Sequence, residues 1–260
     1  MRDSGQGDEG IRELYSNKTA KWISQVSELF YDTVYPRVCP VCGCPSDRPA
    51  RCLCWDCFNR IELLKSGLCS LCGNPLTGNP QCGFLCQACR ERKPFFDRAR
   101  SAAHFNGVMR EIILSFKYQN ALWLKRDIAD TMYGVLQIWE DLHAVDVVVP
   151  VPLFRTRLRE RSYNQSLVLA EILAERMDRR MDSRSLKRIR GTVTQTKFNA
   201  AQRRKNIRGV FKVVRPEWVR KRTVLLVDDV MTTGATLSEC ARELKKAGSR
   251  QVFAVSAARR

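Results

Sequence analysis

Eleven of the twelve cysteines fall between Cys39 and Cys89, and eight of them form four C-x-x-C pairs. Cys39-Pro-Val-Cys42 and Cys54-Trp-Asp-Cys57 are followed by Cys69-Ser-Leu-Cys72 and Cys86-Gln-Ala-Cys89. Two residues between cysteines let both thiolates of a pair reach one ion, and two pairs complete a tetrahedral four-sulfur site. Two structural zinc ions are therefore expected, a closed site leaving no position for a reactive water. Gly43 and Gly73 follow the first pair of each set, where a tight turn needs a residue tolerant of positive φ. Disulfides, free buried thiols and iron–sulfur ligation are the weaker alternatives. Cys44, Cys52 and Cys82 offer competing ligands, so the spacing alone leaves the pairing within each set open. Residues 39–94 are rich in Gly, Pro and Cys, and metal has to replace an aliphatic core there.

That density of thiols suits a reducing compartment. The first ten residues are polar and acidic, unlike a secretory leader, and no run of about 18 apolar residues occurs. A cytoplasmic protein without membrane insertion is the expectation. The composition is that of a folded protein, 44% hydrophobic and 28% charged. Its formal net charge is +18. Residues 155–222 hold 21 basic and 6 acidic side chains, which directs the search for an anionic ligand there.

The chain reads in three parts: an extension over 1–38, a double zinc ribbon over 39–94, and an α/β domain over 95–260. In the extension, Trp22, Ile23, Val26, Leu29, Phe30 and Val34 predict an amphipathic helix over 17–34. Beyond Pro94 strand and helix patterns alternate. Strands are expected at 100–105, 145–149, 186–189, 211–214, 224–227 and 252–255. Helices are expected at 108–118, 122–139, 164–181 and 236–247. Such alternation implies an open parallel sheet.

From Val224 the sequence runs through a buried strand to Asp228-Asp229 and then Val-Met-Thr-Thr-Gly-Ala-Thr before a helix. Backbone amides from Met231 to Thr236, with the hydroxyls of Thr232, Thr233 and Thr236, can surround a phosphate at the positive end of the helix. Gly234 and Ala235 leave the backbone open to it. Asp228 and Asp229 can accept from ribose hydroxyls and supply oxygen ligands to Mg²⁺. Helix capping is the plainer use of two acids, but a pair before Thr-Thr-Gly-Ala-Thr exceeds what a cap needs. His104 and His143 have no partner motif, and Cys240 reads as a core residue.

Residues 224–237 resemble the phosphoribosyl pyrophosphate (PRPP) loop of type I phosphoribosyltransferases. The wider chain, from about Cys39 to Ala258, resembles the ComF family, which joins a double zinc ribbon to that fold. The resemblance also rests on Phe105-Asn106-Gly107, Leu114-Ser115-Phe116-Lys117-Tyr118, Val149-Pro150-Val151-Pro152, Arg161-Ser162-Tyr163-Asn164-Gln165, Thr192, Gln195, Arg203 to Asn206 and Phe211. It implies a pyrophosphate loop after Pro150-Val151-Pro152 and a flap over 191–206. Arg159, Arg161, Arg203 and Arg204 could then supply forked cationic donors to pyrophosphate. Ser162 stands where the family usually has glycine, so the turn before Tyr163 is expected to differ. Phe198 replaces an aliphatic residue. The resemblance further implies binding of PRPP or a related sugar phosphate with Mg²⁺, of single-stranded DNA and of DNA-uptake proteins, and a role in natural transformation. The alternative is a phosphoribosyltransferase with turnover in nucleotide metabolism.

Overall fold

A computed structural model of the chain describes residues 37–76, 78, 83–191 and 200–260. The helix expected over 17–34, together with Cys82, Thr192, Gln195 and Phe198, lies outside the described residues, as do the side chains of Arg203 and Arg204. The chain divides into two compact units, Met1–Trp55 and Asp56–Arg260.

In the described part of the smaller unit, Val38 bridges Pro45 across the first knuckle, and the Cys39 amide donates to the Cys44 carbonyl at 2.7 Å. Arg48 donates to the Leu53 carbonyl, and its guanidinium lies 5.0 Å from the Trp55 ring. Asp47 accepts from the Trp55 amide at 2.9 Å, at the first residue of helix α1 (Trp55–Asn59).

The larger unit repeats the knuckle, with Leu68 bridging Pro75, before the short helix α2 (Gln87–Glu91). It continues with β1 (Arg98–His104), α3 (Gly107–Tyr118), α4 (Lys125–Gln137) and β2 (Val147–Pro150). Next come α5 (Arg155–Arg161), α6 (Gln165–Arg176), β3 (Arg180–Met181), β4 (Leu186–Arg188), α7 (Ala200–Ile207) and β5 (Phe211–Val213). The chain closes with β6 (Thr223–Met231), α8 (Ala235–Lys246) and β7 (Gln251–Arg259).

Five strands form a parallel sheet in the order β1-β7-β6-β2-β3. The central strands are apolar on both faces, as a sheet covered on both sides requires. Val147, Val149, Val224, Leu226, Val252 and Ala254 face α8 through Leu237, Cys240, Ala241 and Leu244. Helices α4 and α6 pack against the sheet and each other, and Trp139 lies 5.3 Å from Phe253. The chain thus winds from β2 through α6 outward to β3, and from β6 through α8 in the opposite direction to β7. Neighbouring strands whose crossovers diverge leave a crevice beyond their carboxyl ends, and β2 and β6 are that pair.

Three expectations are corrected. The helix expected to run to Met181 ends at Arg176, because Asp178 takes φ 50° and Arg180–Met181 then pair with β2 as the edge strand β3. The strands at 186–189 and 211–214 pair with each other antiparallel, outside the main sheet. After the irregular residues 151–154 comes a helix that was not among those expected, α5, whose seven residues RTRLRER bury no side chain. Among the described residues, no helix is long and apolar enough to cross a membrane.

Candidate functional site

The crevice between β2 and β6 gathers its side chains from four elements. Asp228 and Asp229 stand near the carboxyl end of β6, still within the sheet, where Asp228 pairs with Ser256 and Met231 with Arg259. Because consecutive strand residues point to opposite faces, the two acids meet different neighbours. Asp228 Oδ1 accepts from Ser166 Oγ at 3.0 Å and from the Asp229 amide at 2.9 Å. Asp229 Oδ1 lies 2.9 Å from Lys117 Nζ at the end of α3, with only 14% and 11% of the side chains exposed. Burial, followed by the adjacent Asp229 charge, pushes the Asp228 carboxyl up to about 7, while Lys117, the Asp229 amide and Ser166 act against it. The pair therefore sets one carboxyl against a lysine and holds the other well above the usual carboxylate range.

After Met231 the chain bends into α8. Gly234 adopts φ 72° and caps α8, and a Cβ there would stand 2.5 Å from Met231 Cε. The Ala235 amide reaches Thr233 Oγ1 at 3.4 Å. Among the described residues, the amides of Thr232, Thr233, Gly234 and Thr236 have no hydrogen-bond acceptor. They are the donors a helix start offers to an anion. Met231 itself stays in the strand, buried, with its carbonyl accepting from the Arg260 amide.

The segment after α5 is fastened to the same crevice. Ser162 takes φ 63°, a conformation that favours glycine, so this serine holds the left-handed turn despite its Cβ. Tyr163 donates to the Phe116 carbonyl, and its ring lies 5.4 Å from that of Phe116. Burial pushes the Tyr163 hydroxyl up to about 12. Asn164 Nδ2 donates to the Val151 carbonyl, and its Oδ1 caps α6 by accepting from the Ser166 amide. Arg161 donates to Gln165 Oε1 at 3.2 Å, and its guanidinium sits 5.4 Å from the Tyr118 ring.

Beside this segment lies a cavity of about 520 Å³, lined by Leu153, Phe154, Thr156, Arg157, Arg161, Arg188 and Gly191. Three guanidinium-bearing residues around one hollow suit a polyanion. Arg161 was expected there, whereas Arg159 is exposed and does not line it. Arg157, Arg188, Lys117 and Ser166 are the residues that sequence reasoning missed. Only the hydroxyl at the cap of α6 and the lysine closing α3 left a signal, and neither is meaningful until the strands are ordered.

The sulfurs of Cys39, Cys42, Cys54 and Cys57 all lie within 4.8 Å of one another, and so do those of Cys69, Cys72, Cys86 and Cys89. Both sets carry four soft thiol donors, the chemistry of structural zinc. Cys44 and Cys52 belong to neither set, which settles the pairing among the described cysteines. Gly43 and Gly73 adopt φ 76° and 69°, and each donates to the carbonyl of the first cysteine of its knuckle at 2.9 Å. Burial raises the Cys69 thiol, but donation from Cys72, Cys86 and Leu71 amides outweighs it and pulls the thiol down to about 6. In the first set the amides of Cys54, Cys42 and Val41 bring Cys39 to about 7 against its burial. Burial pushes Cys72 up to about 11, opposed first by the nearby Arg259 charge.

Arg259 ties the second set to the bend. Its guanidinium donates to the Cys72 carbonyl at 2.8 Å and to Asn74 Oδ1 at 3.0 Å, approaches Cys72 Sγ at 3.7 Å, and reaches Met231 Sδ at 3.3 Å. A zinc ion with four thiolates carries two net negative charges, and a buried guanidinium beside it offsets part of them.

The phosphoribosyl transferase domain model matches residues 164–260. Competence protein F of Haemophilus influenzae is 30% identical over 213 residues, which cover 76% of this chain and 93% of that protein. The DNA utilization protein YhgH of Escherichia coli K12 is 30% identical over 219 residues, covering 77% of this chain and 93% of its own. Competence protein ComFC of Bacillus subtilis 168 is 27% identical over 218 residues, covering 77% and 81%.

Proposed function

The chain belongs to the ComF family of competence and DNA utilization proteins, and from that premise we propose that it binds PRPP or a related sugar phosphate with Mg²⁺ and handles single-stranded DNA during uptake. The observation that carries this reading is the set of amides of Thr232, Thr233, Gly234 and Thr236, without an acceptor among the described residues and set directly beyond two carboxylates at the point where the sheet's crossovers diverge.

In this reading the 5-phosphate lies on the bend, held by the amides and by the hydroxyls of Thr232, Thr233 and Thr236. Asp228 and Asp229 accept from the ribose hydroxyls and offer the oxygen donors that Mg²⁺ takes. Lys117 pairs with Asp229 and orients it. The diphosphate extends toward Arg157, Arg161 and Arg188, with Arg203 and Arg204 as further cations. Mg²⁺ in such a complex neutralises diphosphate charge. The names of the relatives and the net charge of +18 support a nucleic-acid partner. Eleven described cysteines in no disulfide fit work in the cytoplasm. A turnover reaction is the second reading, supported by the matching transferase model.

Isothermal titration of the full chain with PRPP and Mg²⁺ tests the site. Saturable binding is expected, weakened at least tenfold when Asp228→Asn and Asp229→Asn are combined. Absence of binding by the wild type, or equal binding by the double variant, removes the reading.

A further inference from the structure

Beside the site the chain exposes aromatic surface that packing does not use. Tyr118 closes α3 with 65% of its surface exposed, although the preceding Lys117 is held in the crevice by Asp229. After the turn through Asn120, at φ 52°, Leu122 and Trp123 are 40% and 58% exposed, in a short 3₁₀ turn whose next residue, Leu124, is fully buried. Burying Leu124 and fastening Lys117 fixes the backbone on both sides, so the two rings are held outward by their own neighbours. Lys125, the first residue of α4 and two residues after Trp123, is exposed.

Tyr118 is joined to the cavity through a single side chain. The Arg161 guanidinium lies 5.4 Å from the Tyr118 ring and also lines the hollow with Arg157 and Arg188. A phosphate held by Arg161 thus has an aromatic face one side chain away, and a second, Trp123, five residues further along the chain with an exposed lysine two residues on. One ring would serve a free nucleobase. Two rings flanked by cations, on a chain of net charge +18, match a repeating ligand of alternating bases and phosphates.

The geometry points to the loop joining α3 and α4 as the surface on which single-stranded nucleic acid stacks, with Tyr118 and Trp123 each taking a base and Arg161 and Lys125 contacting phosphates. This rests on the reading above that the chain handles single-stranded DNA, and it adds where and how. Stacking tolerates any base, so the loop confers affinity without sequence choice.

The test is fluorescence anisotropy of the zinc-loaded full chain with a labelled oligothymidylate, over a salt series. Tyr118→Ala and Trp123→Ala are each expected to weaken binding about tenfold. Tyr118→Phe keeps the affinity because it keeps the ring. Lys125→Ala lowers the slope of log affinity against log salt by about one. Trp218→Ala, before the opposite end of β6, changes nothing. Photocrosslinking with an iodouridine-substituted strand is expected to label Tyr118 or Trp123. If the wild type binds DNA and both alanine variants bind equally well, this surface is wrong while the function stands. If the wild type binds no DNA at low salt, both fall.

Discussion

Asp228 and Asp229 are adjacent in sequence yet chemically unlike, and the difference comes from the face each side chain meets. Lys117 compensates Asp229, whereas Asp228 has a hydroxyl, an amide and the charge of its neighbour. Its carboxyl is raised from 3.8 to about 7, so between those values the folded chain binds more protons than the unfolded one. The contribution of this group to stability is therefore greatest below about pH 4, declines as pH rises toward 7, and is level above it. Asp228→Asn is expected to flatten that decline, read from urea midpoints at pH 5, 6, 7 and 8. A variant with the wild-type slope contradicts the assignment. The same residue bears on ligand: a carboxylate that must ionise to accept from ribose gives PRPP affinity that rises from pH 6 to 8.

At the scale of elements, the second knuckle and strand β1 are fitted to each other. The Ala99 amide donates to the Leu71 carbonyl at 2.7 Å, and Arg100 donates to the carbonyls of Cys69 and Ser70. Gly73 lies between them at φ 69°, and a Cβ there would stand 2.8 Å from the Ala99 carbonyl oxygen. That atom is backbone and cannot rotate away. Gly73→Ala is expected to cost about 2 kcal/mol or more, combining left-handed strain with the contact to β1. Gly43→Ala meets nothing within 4 Å and loses only the strain. Thermal denaturation of the two variants compares them directly, and equal losses would show that the contact with β1 is unimportant. The spacing of cysteines made both glycines legible as turn formers. It held nothing of the strand against which only one of them is pressed.

For the larger unit as a whole, the metal set and the sheet share one core, since Cys69, Cys72, Cys86 and Cys89 pack in the same cluster as Phe96, Val149, Leu226 and Leu237. Arg259 extends that sharing from Cys72 to Met231. Two zinc ions per chain are expected by elemental analysis, one after Cys69→Ser and still two after Cys44→Ser. Stripping the metal with a chelator should lower the melting temperature of the larger unit by at least about 4 °C, because the second set then loses its ligand bonds but keeps its buried thiols. A chain that melts unchanged without zinc would show that the thiols alone suffice.

The thiol pairs, the twin acids, the threonine-rich bend and the strand–helix alternation were all fixed by local chemistry, which needs no knowledge of neighbours far along the chain. Periodicity located most strands but could not show that β4 and β5 pair with each other outside the main sheet, since a strand's own residues do not name its partner. Nor did it show α5, whose seven residues bury nothing and so carry no apolar signature. What tertiary structure alone decided was strand order, and with it the crevice. Lys117, the stretch from Arg161 to Ser166, and Asp228 come from three separate segments, and only the divergence of the β2 and β6 crossovers brings them around one crevice.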